Sequence, residues 1–141
     1  MHFYKVYDII LLTKRKVFYI KYLSIDLFIK NNDEEFSYNN VDCKLKNNKY
    51  IFKIEKDLYE IEVDKIVRLH KENDESIIDF IFDDTIEREG TYYIKELNFY
   101  MDALVNTTKY YVSKEEIAIN YSLKLQGEEI GDFVLNIKVK E

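Results

Sequence analysis

The chain has 141 residues and a formal net charge of −6, with 21 Lys+Arg against 27 Asp+Glu. That length suits one domain with a core of its own, and the acidic balance argues against duplex nucleic acid as a partner. The single cysteine, Cys43, excludes an internal disulfide, and no stretch approaches the roughly 18–20 apolar residues of a membrane span.

The chain is rich in Lys, Ile, Asn and Tyr and has no Pro or Trp. That is the bias of an AT-rich coding sequence, so the number of tyrosines does not by itself mark a stacking surface. Ile, Tyr and Phe also favour strands, which pushes the chain toward β structure.

Residues 1–21 fit neither period cleanly. Phe3, Tyr7, Ile10 and Leu11 would share a helix face, and shorter pieces would pass as strand, so this extension is expected to be a helix, an extra strand or disordered. The apolar run Ile9–Leu12 is shorter than the core of a secretory signal, and the basic triplet Lys14-Arg15-Lys16 follows it instead of preceding it. A cytoplasmic location is the resulting expectation.

From Tyr22 the pattern is regular and defines a second region, residues 22–141. Leu23, Ile25, Leu27 and Ile29 alternate with mostly polar neighbours, and Asn31-Asn32-Asp33-Glu34 reads as a turn. Phe36–Leu45 is a more polar strand. Asn47-Asn48 then predicts a hairpin turn, because Asn tolerates positive φ. Tyr50, Phe52 and Ile54 share the next face. Tyr59, Ile61, Val63, Val67 and Leu69 follow, with a bulge or bend at Lys65. Ile78, Phe80 and Phe82 come next, and then the odd-numbered series Tyr93, Leu97, Phe99, Met101, Ala103 and Val105.

The clearest stretch is Glu116–Glu141. Two alternating arms flank Gln126-Gly127, which predicts a β-hairpin, with Gly131 marking a bulge or a close approach of backbone. In all, about eight to nine strands from residue 22, evenly spaced with turn signals between them, predict an all-β antiparallel barrel of up-and-down type. Closure removes the exposed edges of such a sheet.

The C-terminal half carries Val105-x-Thr107, Ile117-x-Ile119-x-Tyr121-x-Leu123 and Gly127-x-x-Ile130-Gly131-x-x-x-Leu135-x-Ile137-x-Val139. Upstream, Val67-x-Leu69, a polar loop, Phe80 and Gly90-Thr91-Tyr92-Tyr93 follow in order. This pattern resembles the YwiB-like family of small bacterial β-barrel proteins of unknown function. The resemblance implies a calycin-like (lipocalin-like) barrel over residues 23–141 and implies no activity. Lys71 and Asn73 stand where that family tends to carry an Arg and then a Gly.

Chemistry-bearing clusters are few. His2, His70 and Cys43 do not supply the three ligands of even an open zinc site, so neither a metal nor a cofactor is expected. Cys43 has no histidine nearby in sequence to activate it as a nucleophile. The doublets Asp83-Asp84 and Glu128-Glu129 fall in turns, and adjacent strand residues point to opposite faces. Gly127 and Gly131 lie in a hairpin, whereas a phosphate-binding glycine loop must open a helix.

What remains is the barrel interior, which in a barrel of about eight strands is either filled or holds one small ligand. Tyr93, Phe99, Met101 and Tyr121 are expected to face it, with Arg88 at its mouth. The leading expectation is a small, partly apolar ligand in the lumen. Two alternatives are an assembly module that forms homo-oligomers through outward apolar residues such as Phe28 and Val134, and a small barrel enzyme using Tyr, Arg88 and a lumen carboxylate as acid–base groups.

Overall fold

Alternation of apolar and polar residues, punctuated by residues that accept positive φ, governs the architecture. In the computed structural model the described residues are 8–13 and 16–140, with side chains described from 19 to 140. They form eleven strands and no helix: β1 (Asp8–Thr13), β2 (Lys16–Asn31), β3 (Glu34–Lys46), β4 (Lys49–Ile54), β5 (Asp57–Val63), β6 (Val67–Glu72), β7 (Ser76–Phe82), β8 (Arg88–Ile94), β9 (Phe99–Val112), β10 (Glu116–Leu125) and β11 (Glu128–Lys140). Among the described residues, therefore, no helix is long and apolar enough to cross a membrane.

Every strand from β2 to β11 pairs antiparallel with the next in sequence, and β11 pairs back onto β2. The result is a closed up-and-down ring of ten strands, more than the eight to nine expected. The undercount came from short, half-polar strands such as β8, whose alternation is hard to read. β1 lies outside the ring, paired to the first part of β2 from Asp8↔Lys21 to Thr13↔Lys16. β2 begins at Lys16 and runs unbroken to Asn31, so the boundary expected at residue 21 falls within a strand. His2 and the pair Lys14-Arg15 lie outside the described residues, as does the side chain of Lys16.

Turns form where the sequence signals them at Asn32, Asn47 and Gln126, which all have positive φ, and Gly127 follows Gln126 at φ 82°. Glu55 and Asn98 also have positive φ, at turns that the alternation does not signal. Two successive residues with positive φ match the twist of the flanking strands, which is why Gln126-Gly127 closes the β10–β11 hairpin in two residues. Asn73 organises the β6–β7 loop by accepting from the backbone N–H groups of Glu75 and Ser76 at 2.8 and 2.9 Å. Around Lys65 the chain bends between β5 and β6, as expected from the break in alternation.

The inward face of each strand builds one core. Ile25, Leu27, Ile61, Val67, Phe82, Val105, Ile117, Ile119 and Ile137 are fully buried there. Each such side chain contributes roughly 1.5–3 kcal/mol by leaving water, so ten inward faces stabilise the fold without a metal or crosslink. Cys43 is one of these core residues, and burial raises its thiol pKa to about 12. At neutral pH it is an inert, protonated side chain.

Candidate functional site

The core does not fill the barrel from end to end. Toward the rim formed by the β2–β3, β4–β5, β6–β7, β8–β9 and β10–β11 turns, a cavity of about 600 Å³ remains. This lies within the size range of small-molecule sites. Its walls are mainly Ile29, Leu69, Ile78, Ile94, Leu123 and Leu125, with Tyr92 and Met101 on the β8–β9 side. These positions face inward because of register: Ile78 pairs with Tyr92 and Tyr92 with Met101, so all three share the lumen face.

Aromatic rings form the floor. Tyr121 of β10 packs against Phe133 with ring centroids 5.3 Å apart and nearly parallel planes, and meets Phe82 at 4.8 Å and Phe80 edge-on at 6.1 Å. From the other side, Tyr59 of β5 stacks on Phe52 at 4.9 Å. Such pairs contribute about 0.5–1.5 kcal/mol beyond the area they bury. Burial pushes both phenols well above the ordinary tyrosine range, and the charge of Asp57 raises Tyr59 further. Both therefore stay protonated and able to donate.

A small polar group borders the floor. Lys71 lies opposite Tyr59 in register, with its ammonium 5.4 Å from that ring's centroid and 3.7 Å from the carboxylate of Asp57. Asp57 also accepts from the Asn73 side-chain amide at 2.9 Å. Ser76 is buried, and its hydroxyl is within hydrogen-bond reach of Asn73 Oδ1 at 3.3 Å. Glu75, exposed on the β6–β7 loop, marks the rim.

Of the five residues expected at the site, the structure brings Met101 and Tyr121 to the cavity. Tyr93 is a correction: it pairs with Ile77 and Tyr100 on the outer wall, donates its hydroxyl to Asn98, and packs against Tyr100 at 4.4 Å. Face parity does not carry across the Lys95–Asn98 turn, which is why the odd-numbered series misplaced Tyr93. Phe99, at the start of β9, is 46% exposed and lies outside the cavity wall.

Arg88 is also displaced from its expected place. It opens β8 at the end away from Tyr92 and Ile94, and its guanidinium holds Asp83 at 2.8 and 2.9 Å. Hydrogen bonds from Thr85, joined by Arg88, draw the Asp83 carboxyl down to about 2. This cluster ties down the β7–β8 loop. The acid–base set of a lumen Tyr, Arg88 and a carboxylate is thus not brought together.

Tyr59, Lys71, Tyr92 and Phe133 were not singled out from sequence as site residues. Alternation does put Tyr59 on an inward face. Nothing in the sequence shows that its ring meets a cavity instead of solid core.

Two further depressions lie on the outer wall. One, of about 760 Å³, follows β2–β5 past Tyr22, Asp42, Lys44, Ile51 and Lys53. The other, of about 310 Å³, surrounds Gly90 and is lined by charged groups including Lys49, Glu60, Arg68, His70 and Asp79. Neither combines enclosing apolar walls with convergent polar groups, as the lumen does.

No family model matches this sequence, and no curated protein matches it. Its fold is similar to the crystal structure of the ywiB protein from Bacillus subtilis, with a TM-score of 0.52 over 86% of this chain and 92% of that one, at 11% sequence identity. The chain is a small β-barrel with a YwiB-like fold.

Proposed function

We propose that the protein binds a small, partly apolar molecule in the half-lumen above the Tyr59–Tyr121 floor. The observation that carries this reading is the cavity of about 600 Å³, walled by aliphatic side chains and floored by the buried Tyr59 and the partly buried Tyr121. A barrel whose interior served only as core would gain by filling that volume, since unfilled space costs packing energy.

Titration with the apolar fluorophore N-phenylnaphthylamine tests the reading. The wild-type chain is expected to enhance its fluorescence saturably, and Met101→Trp, which puts a large ring into the cavity, is expected to weaken that binding strongly. Equal binding by wild type and variant places the dye elsewhere and removes the support for a lumen ligand.

A second reading, an assembly module, has its own observation. Tyr93 and Tyr100 form an aromatic pair on the outer wall of β8 and β9, with Tyr100 63% exposed and Leu97 67% exposed beside it in the β8–β9 turn. Contiguous exposed apolar surface of this kind marks partner contacts. Sedimentation across a concentration series, compared with a Tyr93→Ser/Tyr100→Ser double variant, tests whether this patch joins copies of the chain.

A further inference from the structure

Resting on the lumen-binding reading above, we infer that the ligand enters the barrel past Ile130, and that this residue, held in place by Asn32, sets which molecules pass and how fast. Among the described residues that line the cavity, Asn31, Glu75 and Ile130 are the exposed ones, so they stand where lumen meets water. Asn31 and Glu75 are polar. Ile130, 42% exposed, is the apolar one, so a partly apolar molecule leaving water gains its first hydrophobic contact there.

Ile130 owes this place to a break in the ladder. Leu123 pairs with Gly131 and Lys124 with Glu129, which leaves Ile130 as the extra residue of a bulge in β11. Bulges at barrel rims re-aim a side chain and free it from pairing. The backbone beneath is nevertheless fixed. Asn32 Oδ1 accepts from the Asp132 N–H at 3.0 Å, the Asn32 amide nitrogen reaches the Ile130 carbonyl at 3.4 Å, and Gly131 leaves open the space that the Asn32 side chain fills. Asn32 directly follows Asn31, so this one contact holds two of the three mouth residues, one on each side of the β2–β11 seam. The ligand rests deeper, over the aromatic floor. Ile130 therefore bears on passage through the mouth and little on the bound state.

Stopped-flow mixing with N-phenylnaphthylamine reads entry and exit separately. Ile130→Ala is expected to raise the association and dissociation rate constants several-fold and by the same factor, leaving Kd unchanged, and Ile130→Trp to lower both. Because Ile130 is exposed, both variants should fold as wild type does. Asn32→Gly, which keeps the turn but frees the bulge, should raise both rates at constant Kd, a response that a purely structural role would not give. Rates that ignore both Ile130 variants overturn the inference. So does a change confined to dissociation, which would make Ile130 a wall of the bound state and not its gate. Wild-type rates in Asn32→Gly would strike out the part given to Asn32. A dye that does not bind saturably, or that binds Met101→Trp as well as wild type, defeats the lumen-binding reading instead, and does so at equilibrium before any rate is measured.

Discussion

The side-chain carbonyl of Asn32 occupies the space that a side chain at residue 131 would need. A Cβ on Gly131 would fall 1.8 Å from Asn32 Oδ1. That oxygen accepts from the Asp132 N–H at 3.0 Å, and the Asn32 amide nitrogen reaches the Ile130 carbonyl at 3.4 Å. The Asn32 backbone N–H adds a bond to the Asp132 carbonyl at 2.9 Å. The β2–β3 turn is thereby latched onto the bulge in β11, where Leu123 pairs with Gly131 and Lys124 with Glu129, leaving Ile130 as the extra residue.

Gly131→Ala should therefore cost at least about 2 kcal/mol, because it combines the clash with a backbone at φ 145° that L residues rarely adopt. Asn32→Gly keeps the positive φ of the turn but gives up the latch, and should cost less. The double variant should be less destabilised than the sum of the two, since removing Asn32 relieves the clash but not the backbone strain. Urea unfolding of the four proteins measures this, and strict additivity would mean that the two residues do not interact.

A second prediction concerns pH. His70 sits between Glu60 and Asp79 across three neighbouring strands, with Nδ1 2.6 Å from Asp79 and Nε2 3.6 Å from Glu72. Lys49, paired with Glu60, and Arg68 share this wall. Burial pulls the imidazole pKa down, but the hydrogen bond and charge of Asp79, aided by Glu60 and Glu72, outweigh it and leave it raised. A raised folded-state pKa means that the stabilisation is fully present below the unfolded histidine value of about 6.5 and fades as pH climbs through the folded value. His70→Gln should accordingly lose stability relative to wild type in mildly acidic buffer and converge with it in alkaline buffer. Denaturant midpoints measured across that range give the answer. A stability gap that does not change with pH would mean that His70 contributes through packing alone.

A third prediction uses the last hairpin. Gln126 has φ 52° ahead of Gly127 at φ 82°, a turn that favours Asn in its first place. The Gln126 side chain also accepts from the Asp102 N–H at 2.6 Å. Gln126→Asn improves the turn but cannot keep that reach across to β9, so its net effect should stay within about 1 kcal/mol of wild type. Gln126→Val, which loses the bond and puts a β-branched residue at positive φ, should cost clearly more. Thermal unfolding separates the two. A valine variant as stable as wild type would show that the turn is under no such constraint.

Much of this barrel is legible in the sequence because its strands are half-buried. Leu23 to Ile29, Tyr50 to Ile54, Tyr59 to Val63 and Ile117 to Leu125 alternate, and their inward residues build much of the core. β8 is the instructive failure. Its inward positions are Arg88, Gly90, Tyr92 and Ile94, so two of the four are not apolar, and Tyr92-Tyr93-Ile94 is apolar on both faces. Gly90 faces in without a side chain because an added Cβ would lie 2.5 Å from the Asp79 carbonyl oxygen. Lys71 likewise breaks the pattern of β6 because it faces the lumen. The open half of the lumen is not visible in sequence at all. Alternation gives the face of Tyr59 and Tyr121, but whether those rings border open lumen or packed core depends on residues across a closed ring.

The closure of that ring has a kinetic consequence. β2 must find β11 across most of the chain's length, and no local hairpin brings the two together. High contact order of this kind slows folding. Until the two strands meet, β2 and β11 both present unpaired backbone and aliphatic side chains, the edges through which folding intermediates associate wrongly. The Asn32–Gly131 latch lies at one end of this last seam. Variants there should therefore show their effect first as lower recovery on refolding at high protein concentration, before any loss of native-state structure becomes measurable.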